Sequence, residues 1–361
     1  MAVNDSSDAL RPLRDQIDTL DGRILDCLNE RARLAQQIGA LKARSDAPVM
    51  RPEREAQVID RLQKANPGPL GKSEISCIFR EVMSACRALE HRLRVAFLGP
   101  QGTFSEQAVW AHFGHSIDAV AVDCIDEVFR RVEAGQCEFG VVPVENSTEG
   151  SVSYTLDALL NTSLKISGEV SLTIVHHLLA AQEARVATVR EVCAHPQALA
   201  QCKGWLQSNL PGVTMRAVSS NAEGARLAGQ DATLAAIAGQ AARDHYGLQA
   251  LAEGIQDNVH NRTRFLVIGA ADSAASGRDL TSVVLAVANR PGAVYRMLEP
   301  LDRHGVSMTR FESRPARNGR WEYYFYIDML GHRTDPAVAA VLQELQDNAL
   351  FFRHLGSFPS L

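Results

Sequence analysis

Cysteine is sparse and unpatterned in this sequence, long apolar runs are missing, and no strong charge of either sign builds up. The seven cysteines (Cys27, Cys77, Cys86, Cys124, Cys137, Cys193 and Cys202) are odd in number and scattered, with no CxxC. That pattern excludes a disulfide framework and a cysteine zinc site, and it fits reduced thiols in the cytosol. No stretch of about 18 apolar residues runs without a charge, so no membrane span is expected. The opening residues, MAVNDSSDAL, have no basic stretch ahead of an apolar run. No secretory leader is therefore expected, and a cytoplasmic location is. A formal net charge of -5 gives no reason to expect nucleic acid or an anionic membrane as a partner.

What is present is a globular chain with three textures. At 361 residues it is too long for one ordinary core and predicts two or three domains. Residues 1–94 carry 16 Lys and Arg against 14 Asp and Glu, whereas the rest carries 21 against 28. From residue 8 to about 92 the apolar period is helical, with breakers only near Pro48 to Pro52 and Asn66 to Gly71. One long helix and two shorter ones are predicted. From Arg94 to about Gly269, short apolar runs alternate with helices, which predicts an α/β domain with a mainly parallel sheet. AADSAASGRD then reads as a linker, and the remainder as a βαββαβ ferredoxin-like module.

The first helix carries a seam at Leu10, Leu13, Ile17, Leu20, Ile24, Cys27, Arg31, Leu34, Ile38 and Leu41. A seam of this kind packs against another helix. Arg31 breaks it, and a guanidinium at an interior seam position is costly unless an anion meets it. Lys42, 11 residues on, returns to within about 20° of the same face. Arg14 lies about 25 Å away along the axis. It reaches the same site only from an antiparallel partner, so a homodimer or higher homo-oligomer is expected. LRDQIDTLDGRILDCLNERARLAQQIGALK followed by RPEREAQVIDRL resembles the all-helical chorismate mutases, which are intertwined dimers. The resemblance implies that Arg14 (from the partner chain), Arg31 and Arg54 bind the carboxylates of chorismate. It also implies Lys42 at the ether oxygen and Glu55 at the ring hydroxyl, with Cys86 and Glu90 from the last helix. Some relatives have Gln in place of Glu90, so Glu90 must be protonated to donate a hydrogen bond. Mutase activity is then expected to fall as pH rises, a fall that Glu90→Gln removes. Arg51 and Cys86 also depart from the family, since some relatives place Asp and Ser there.

The second region has three polar turns at strand ends. RVAFLGPQGTFSEQA offers Thr103 and Ser105 at a helix start, and GVVPVENSTEGSV gathers Glu145, Asn146, Ser147, Thr148 and Ser151. By composition alone the second is a polar turn capping SYTLDALL. IQDNVHNRTRFLVIG brings Thr263 and Arg264 to a strand start. With the HPQ at His195 to Gln197 and AAIAGQAARDHYGL, these motifs in order resemble prephenate dehydratase. That resemblance implies a two-lobed fold like the periplasmic binding proteins, with about 173–250 as the second lobe. It implies Thr263 as the catalytic hydroxyl. Thr103, Ser105, Glu145, Asn146, Ser147, Ser151 and Arg264 are the expected prephenate-binding set. His195 reads either as a general acid or as a structural hydrogen-bonding group.

In the last module, NRPGAVYRMLEPL and FESRP resemble the ACT domain, which binds amino acids between paired copies. Asn289, Gly292, Ala293 and Val294, with Glu312, Ser313, Arg314 and Pro315, are thereby implied as a phenylalanine site. The whole reading is an all-α mutase domain (1–92), an α/β dehydratase domain (93–270) and an α+β ACT domain (280–361). No cofactor and no metal are expected. Two other readings stay open: a non-catalytic amino-acid sensor whose helices only dimerise, and an enzyme with one surviving activity.

Overall fold

The computed structural model describes residues 5–42, 50–316 and 323–360. Three helices come first: α1 (Asp5–Lys42), α2 (Pro52–Ala65) and α3 (Lys72–Ala88). Pro52 opens α2, where its missing N–H costs nothing and its fixed φ suits a first turn. The 38 residues of α1 span about 57 Å. Arg31, Ala35, Gly39 and Lys42 form its half-buried stripe, while Leu34, Ile38 and Leu41 point to solvent. The apolar seam stays open along its length, with Leu13 and Ile17 each 56% exposed.

Two sheets follow, joined by two crossings of the chain. The first lobe takes β1 (Arg94–Leu98), α4 (Phe104–Phe113), β2 (Asp118–Val122), α5 (Ile125–Glu133), β3 (Phe139–Asn146), β4 (Gly150–Ser151), α6 (Ser153–Asn161) and β5 (Lys165–Thr173). The second takes β6 (His177–Ala180), β7 (Glu191–Ala194), α7 (Pro196–Gln201), α8 (Lys203–Asn209) and β8 (Thr214–Ala217). It ends with α9 (Asn221–Ala228), β9 (Leu234–Ala238), α10 (Gln240–Tyr246) and β10 (Gln249–Ala252). The chain then returns as β11 (Arg262–Gly269), which inserts antiparallel between β3 and β5. The sheet orders are β2-β1-β3-β11-β5, with β4 on β3, and β10-β6-β9-β7-β8. Both sheets are mixed rather than mainly parallel. The returning strand makes the first one so, and β6 and β10 do the same for the second.

The last module is β12 (Asp279–Ala286), α11 (Ala293–Arg303), β13 (Met308–Pro315), β14 (Tyr323–Leu330), α12 (Pro336–Asn348) and β15 (Phe351–Pro359). Its antiparallel sheet has the order β13-β14-β12-β15, as the ferredoxin-like pattern requires. One face packs on α11 and α12 through Val283, Leu285, Ile327 and Val341. The other face joins the core of the first lobe, where Leu280, Val284, Tyr326 and Phe358 meet Leu156, Leu159 and Ile166. Gly356 permits the closest approach, since a Cβ there would run into the backbone of Ile166. The expected linker is pinned between these bodies: Asp279 accepts from the backbone N–H of Ser276 and Gly277, and Asp272 pairs with Arg333 at 2.9 Å. Among the described residues, no helix is long and apolar enough to cross a membrane.

Candidate functional site

A cleft of about 840 Å³ separates the two lobes. Asn146 ends β3 and Thr263 is the second residue of β11, and the ladder sets them directly opposite each other. Asn146 Nδ2 donates to Thr263 Oγ1 at 2.8 Å and to Asn261 Oδ1 at 3.0 Å. Thr263 is therefore an acceptor within the protein, which leaves its own proton for the cleft. Asn261 Nδ2 continues to Gln201 Oε1 at 3.1 Å, and that oxygen also meets His176 Nε2 at 3.1 Å. One oxygen accepting both makes Nε2 the protonated nitrogen of His176. Burial holds this imidazole below its ordinary pKa and so neutral. A polar line thus runs from α7 of one lobe to the strand ends of the other.

Helix starts form the rest of the wall. Thr103 caps α4, its hydroxyl bonded to the Pro100 carbonyl at 3.0 Å, and Ser105 is buried in the first turn. Across the cleft His195 caps α7, its Nδ1 accepting from the Gln197 N–H at 3.3 Å. Ser220 caps α9 by accepting from the Glu223 N–H at 3.0 Å. The N-termini of helices from both lobes therefore line one cavity, an arrangement suited to carboxylates.

The neighbours of Asn146 and Thr263 point the other way. Successive strand residues alternate faces, so Glu145 and Arg264 look toward the last module. Glu145 pairs with Arg310 at 2.6 Å. Arg264 bridges Glu169 at 2.6 Å and Asp328 at 2.8 Å. Burial raises the Glu145 carboxyl above its ordinary pKa, against the pull of Arg264. Ser151 sits opposite Glu145 on β4 and shares its cavity, and Ser147 Oγ accepts from the Arg262 N–H at 2.9 Å. The expected set is corrected accordingly: Thr103, Ser105, Asn146 and Thr263 line the cleft, while Glu145, Ser147, Ser151 and Arg264 do not.

In the helical region the Glu90 carboxylate lies directly over Gly39 of α1, one turn before Lys42. Gly39 is what admits it, since any Cβ would collide. Glu55 pairs with Arg87, which also donates to the Phe113 carbonyl at 2.9 Å. Burial pushes the Glu55 carboxyl up, while Arg87, Arg80 and Arg31 pull it down. Cys86 is buried, and Arg14 and Arg54 are exposed. The single chain thus brings Lys42 and Glu90 together at one end of α1, but does not bring them to Arg14.

On the last module Gly292 adopts φ +76° at the start of α11, a conformation that favours glycine. Ala286 and Arg314 both pair with Tyr324, so the turn at Asn289 to Val294 and the strand end at Glu312 to Pro315 share one end of the sheet. Two strand spacings, about 10 Å, separate them. Ser313 and Pro315 are exposed. Arg314 departs from the expected ligand role, being buried and paired with Asp157 of α6 at 3.1 Å. Glu312 shares its face and borders the Glu145 cavity.

Three family models match in chain order: chorismate mutase type II at residues 13–91, prephenate dehydratase at 95–273 and the ACT domain at 281–347. A bifunctional chorismate mutase/prephenate dehydratase of Stutzerimonas stutzeri is 47% identical over 358 residues, covering 98% of each chain. Its counterpart in Neisseria gonorrhoeae is 49% identical over 353 residues, covering 97% of each. The chain belongs to this bifunctional family. A solved prephenate dehydratase of Arthrobacter aurescens, in complex with L-Phe, aligns with a TM-score of 0.69 and 34% identity. It covers 74% of this chain and 90% of that one.

Within that family frame, sequence reasoning passed over several residues that line or brace the sites. Asn261 carried a signal, since it stands two residues before Thr263 and so on the same side of the chain. Gln201 and His176 had none, because only the crossing between lobes brings them to Asn261.

Proposed function

We propose that the helical region rearranges chorismate to prephenate, and that the cleft converts prephenate to phenylpyruvate, carbon dioxide and water. Phenylalanine is the inhibitory effector, which places the enzyme in L-phenylalanine biosynthesis. The observation that carries the dehydratase reading is the Thr263 hydroxyl, held as an acceptor by Asn146 with its proton free. Decarboxylation and loss of the ring hydroxyl aromatise prephenate, so the enzyme must orient the ring and help hydroxide depart. A threonine hydroxyl is too weak an acid for pKa matching, but it donates a positioned hydrogen bond to the leaving oxygen. The helix starts at Thr103 and Ser105, with those across the cleft, hold the two carboxylates. The lobes then work as those of periplasmic binding proteins do, closing over the ligand about the crossings at 174–176 and 253–261.

The mutase reaction needs no nucleophile and no metal. It needs a compact conformer and fixed donors at the ether oxygen, where negative charge develops. Lys42 supplies a point charge there, and protonated Glu90 a hydrogen bond. Arg31, Arg54 and Arg14 of a second copy hold the carboxylates. The solvent-facing seam of α1 supports an antiparallel dimer that buries it. The resemblance also assigns Glu55 and Cys86 to this set; in the single chain Glu55 pairs with Arg87 and Cys86 is buried.

For regulation, phenylalanine binds between paired ACT domains, at the turn from Asn289 through Gly292, Ala293 and Val294 and at Ser313 and Pro315. Inhibition requires tighter binding to the less active arrangement. The ion pairs from Arg310 and Asp328 to Glu145 and Arg264 lie directly behind Asn146 and Thr263, which offers a route for that coupling. The functional units are 1–92, 93–270 and 280–361, acting in the cytoplasm. Incubating purified protein with chorismate tests the whole reading: prephenate should appear first and phenylpyruvate second, with phenylalanine suppressing the second. Chorismate left unconsumed, together with added prephenate left intact, would leave only the sensor reading.

A further inference from the structure

A second cavity, of about 360 Å³, lies where the helical region, the first lobe and the last module meet. It shares no wall residue with the cleft. Its carboxylates are already matched by cations: Glu55 by Arg87, Asp60 by Lys64 at 2.7 Å, and Glu169 by Arg264 at 2.6 Å. Two further cations line the wall. Arg80 and Arg278 have no ion pair and no side-chain hydrogen bond among the described residues. Arg80 is half-buried on α3, where losing water works against its charge and the nearby Glu55 and Glu81 favour it. His112 adds no third charge. Burial and the neighbouring Arg80 and Arg87 hold its imidazole at a pKa of about 3, and its buried Nε2 has no partner. Met50, Ala56, Ile59 and Pro359 give the same space an apolar side.

A cavity of this size, with guanidiniums at two points and an apolar wall, fits a small amphiphilic anion. A guanidinium with unused paired N–H groups selects a planar carboxylate. We propose that this three-domain junction is a binding site for a small carboxylate with an apolar body, held through Arg80 and Arg278. The site rests on geometry alone; only the choice of phenylpyruvate as a probe leans on the activity proposed above. For that reason 3-phenylpropionate, which has no place in the reaction, is measured beside it.

Equilibrium dialysis of the full-length chain with each labelled compound counts bound ligand per chain. The intact protein should bind one more equivalent than Arg80→Gln or Arg278→Ala. Prephenate turnover, assayed separately, should be unchanged in both variants. Arg278 is exposed on a loop, so its variant keeps the test open if the Arg80 variant does not fold. Equal binding by the intact protein and Arg278→Ala would overturn the site. So would displacement of the extra equivalent by inorganic phosphate as readily as by 3-phenylpropionate, because the apolar wall would then select nothing.

Discussion

The cleft and the helical region are two sites built to different degrees by the same chain. In the cleft, Asn146, Asn261, Gln201 and His176 reach Thr263 through bonds of 2.8 to 3.1 Å. A returning strand and two crossings bring them together, so one chain completes the wall. In the helical region, Arg14 and Arg31 lie on one straight helix, and no folding of that helix brings them together. Its apolar stripe stays outside while small and cationic residues face α3. A site in a mixed sheet closes on itself, whereas a site on a long helix waits for a second helix.

The largest expected effect separates the two. Thr263→Ala should lower prephenate turnover by about 10²–10⁴-fold and leave chorismate consumption unchanged. Loss of both activities with the far-ultraviolet circular dichroism intact would break the division into two sites. Next, Arg87→Leu strands the Glu55 carboxylate where α2 and α3 meet the first lobe. Removing one partner of a buried pair costs about 3–5 kcal/mol, read as a lower urea midpoint. A loss under about 1 kcal/mol would mean that this contact does not secure the helices to the rest.

A smaller effect is expected on the open side of α1. Ile24→Asp forfeits about 2 kcal/mol of apolar burial per chain in a dimer. The protein should elute as a monomer, with mutase activity lost and dehydratase activity kept. A monomeric wild type that still rearranges chorismate would end the comparison. The last effect is electrostatic and confined to acid pH. His112 has a pKa of about 3 because burial, then Arg80 and Arg87, disfavour its charged form. A depressed pKa contributes stability above pH 6.5 that is lost as pH falls from 6.5 toward 3. His112→Gln should therefore flatten the decline of melting temperature over that window. An unchanged slope would show that other groups carry it.

The motifs around Thr263, Asn146 and Gly292 were legible because each marks a strand end or turn whose chemistry is local. The helix count was legible from periodicity and from Pro52. Strand alternation was available too, yet Glu145 and Arg264 were grouped with Asn146 and Thr263 because they share a motif. The register that pairs Thr263 with Asn146 and Arg264 with Glu145 separates them onto two faces. The pairing of Arg314 was likewise out of reach, since Asp157 meets it from 157 residues away.

By itself the sequence determined the three textures, the order of the domains and the hydroxyl at Thr263, because propensity and turn chemistry act over a few residues. Only the tertiary structure decided which neighbour of each candidate residue faces the cleft and which faces another domain. It alone joined His176 and Gln201 to the strand that carries Thr263, and set Arg80 and Arg278 on one cavity where three bodies meet. Those outcomes depend on register and on contacts between residues far apart in the chain, which no local pattern encodes.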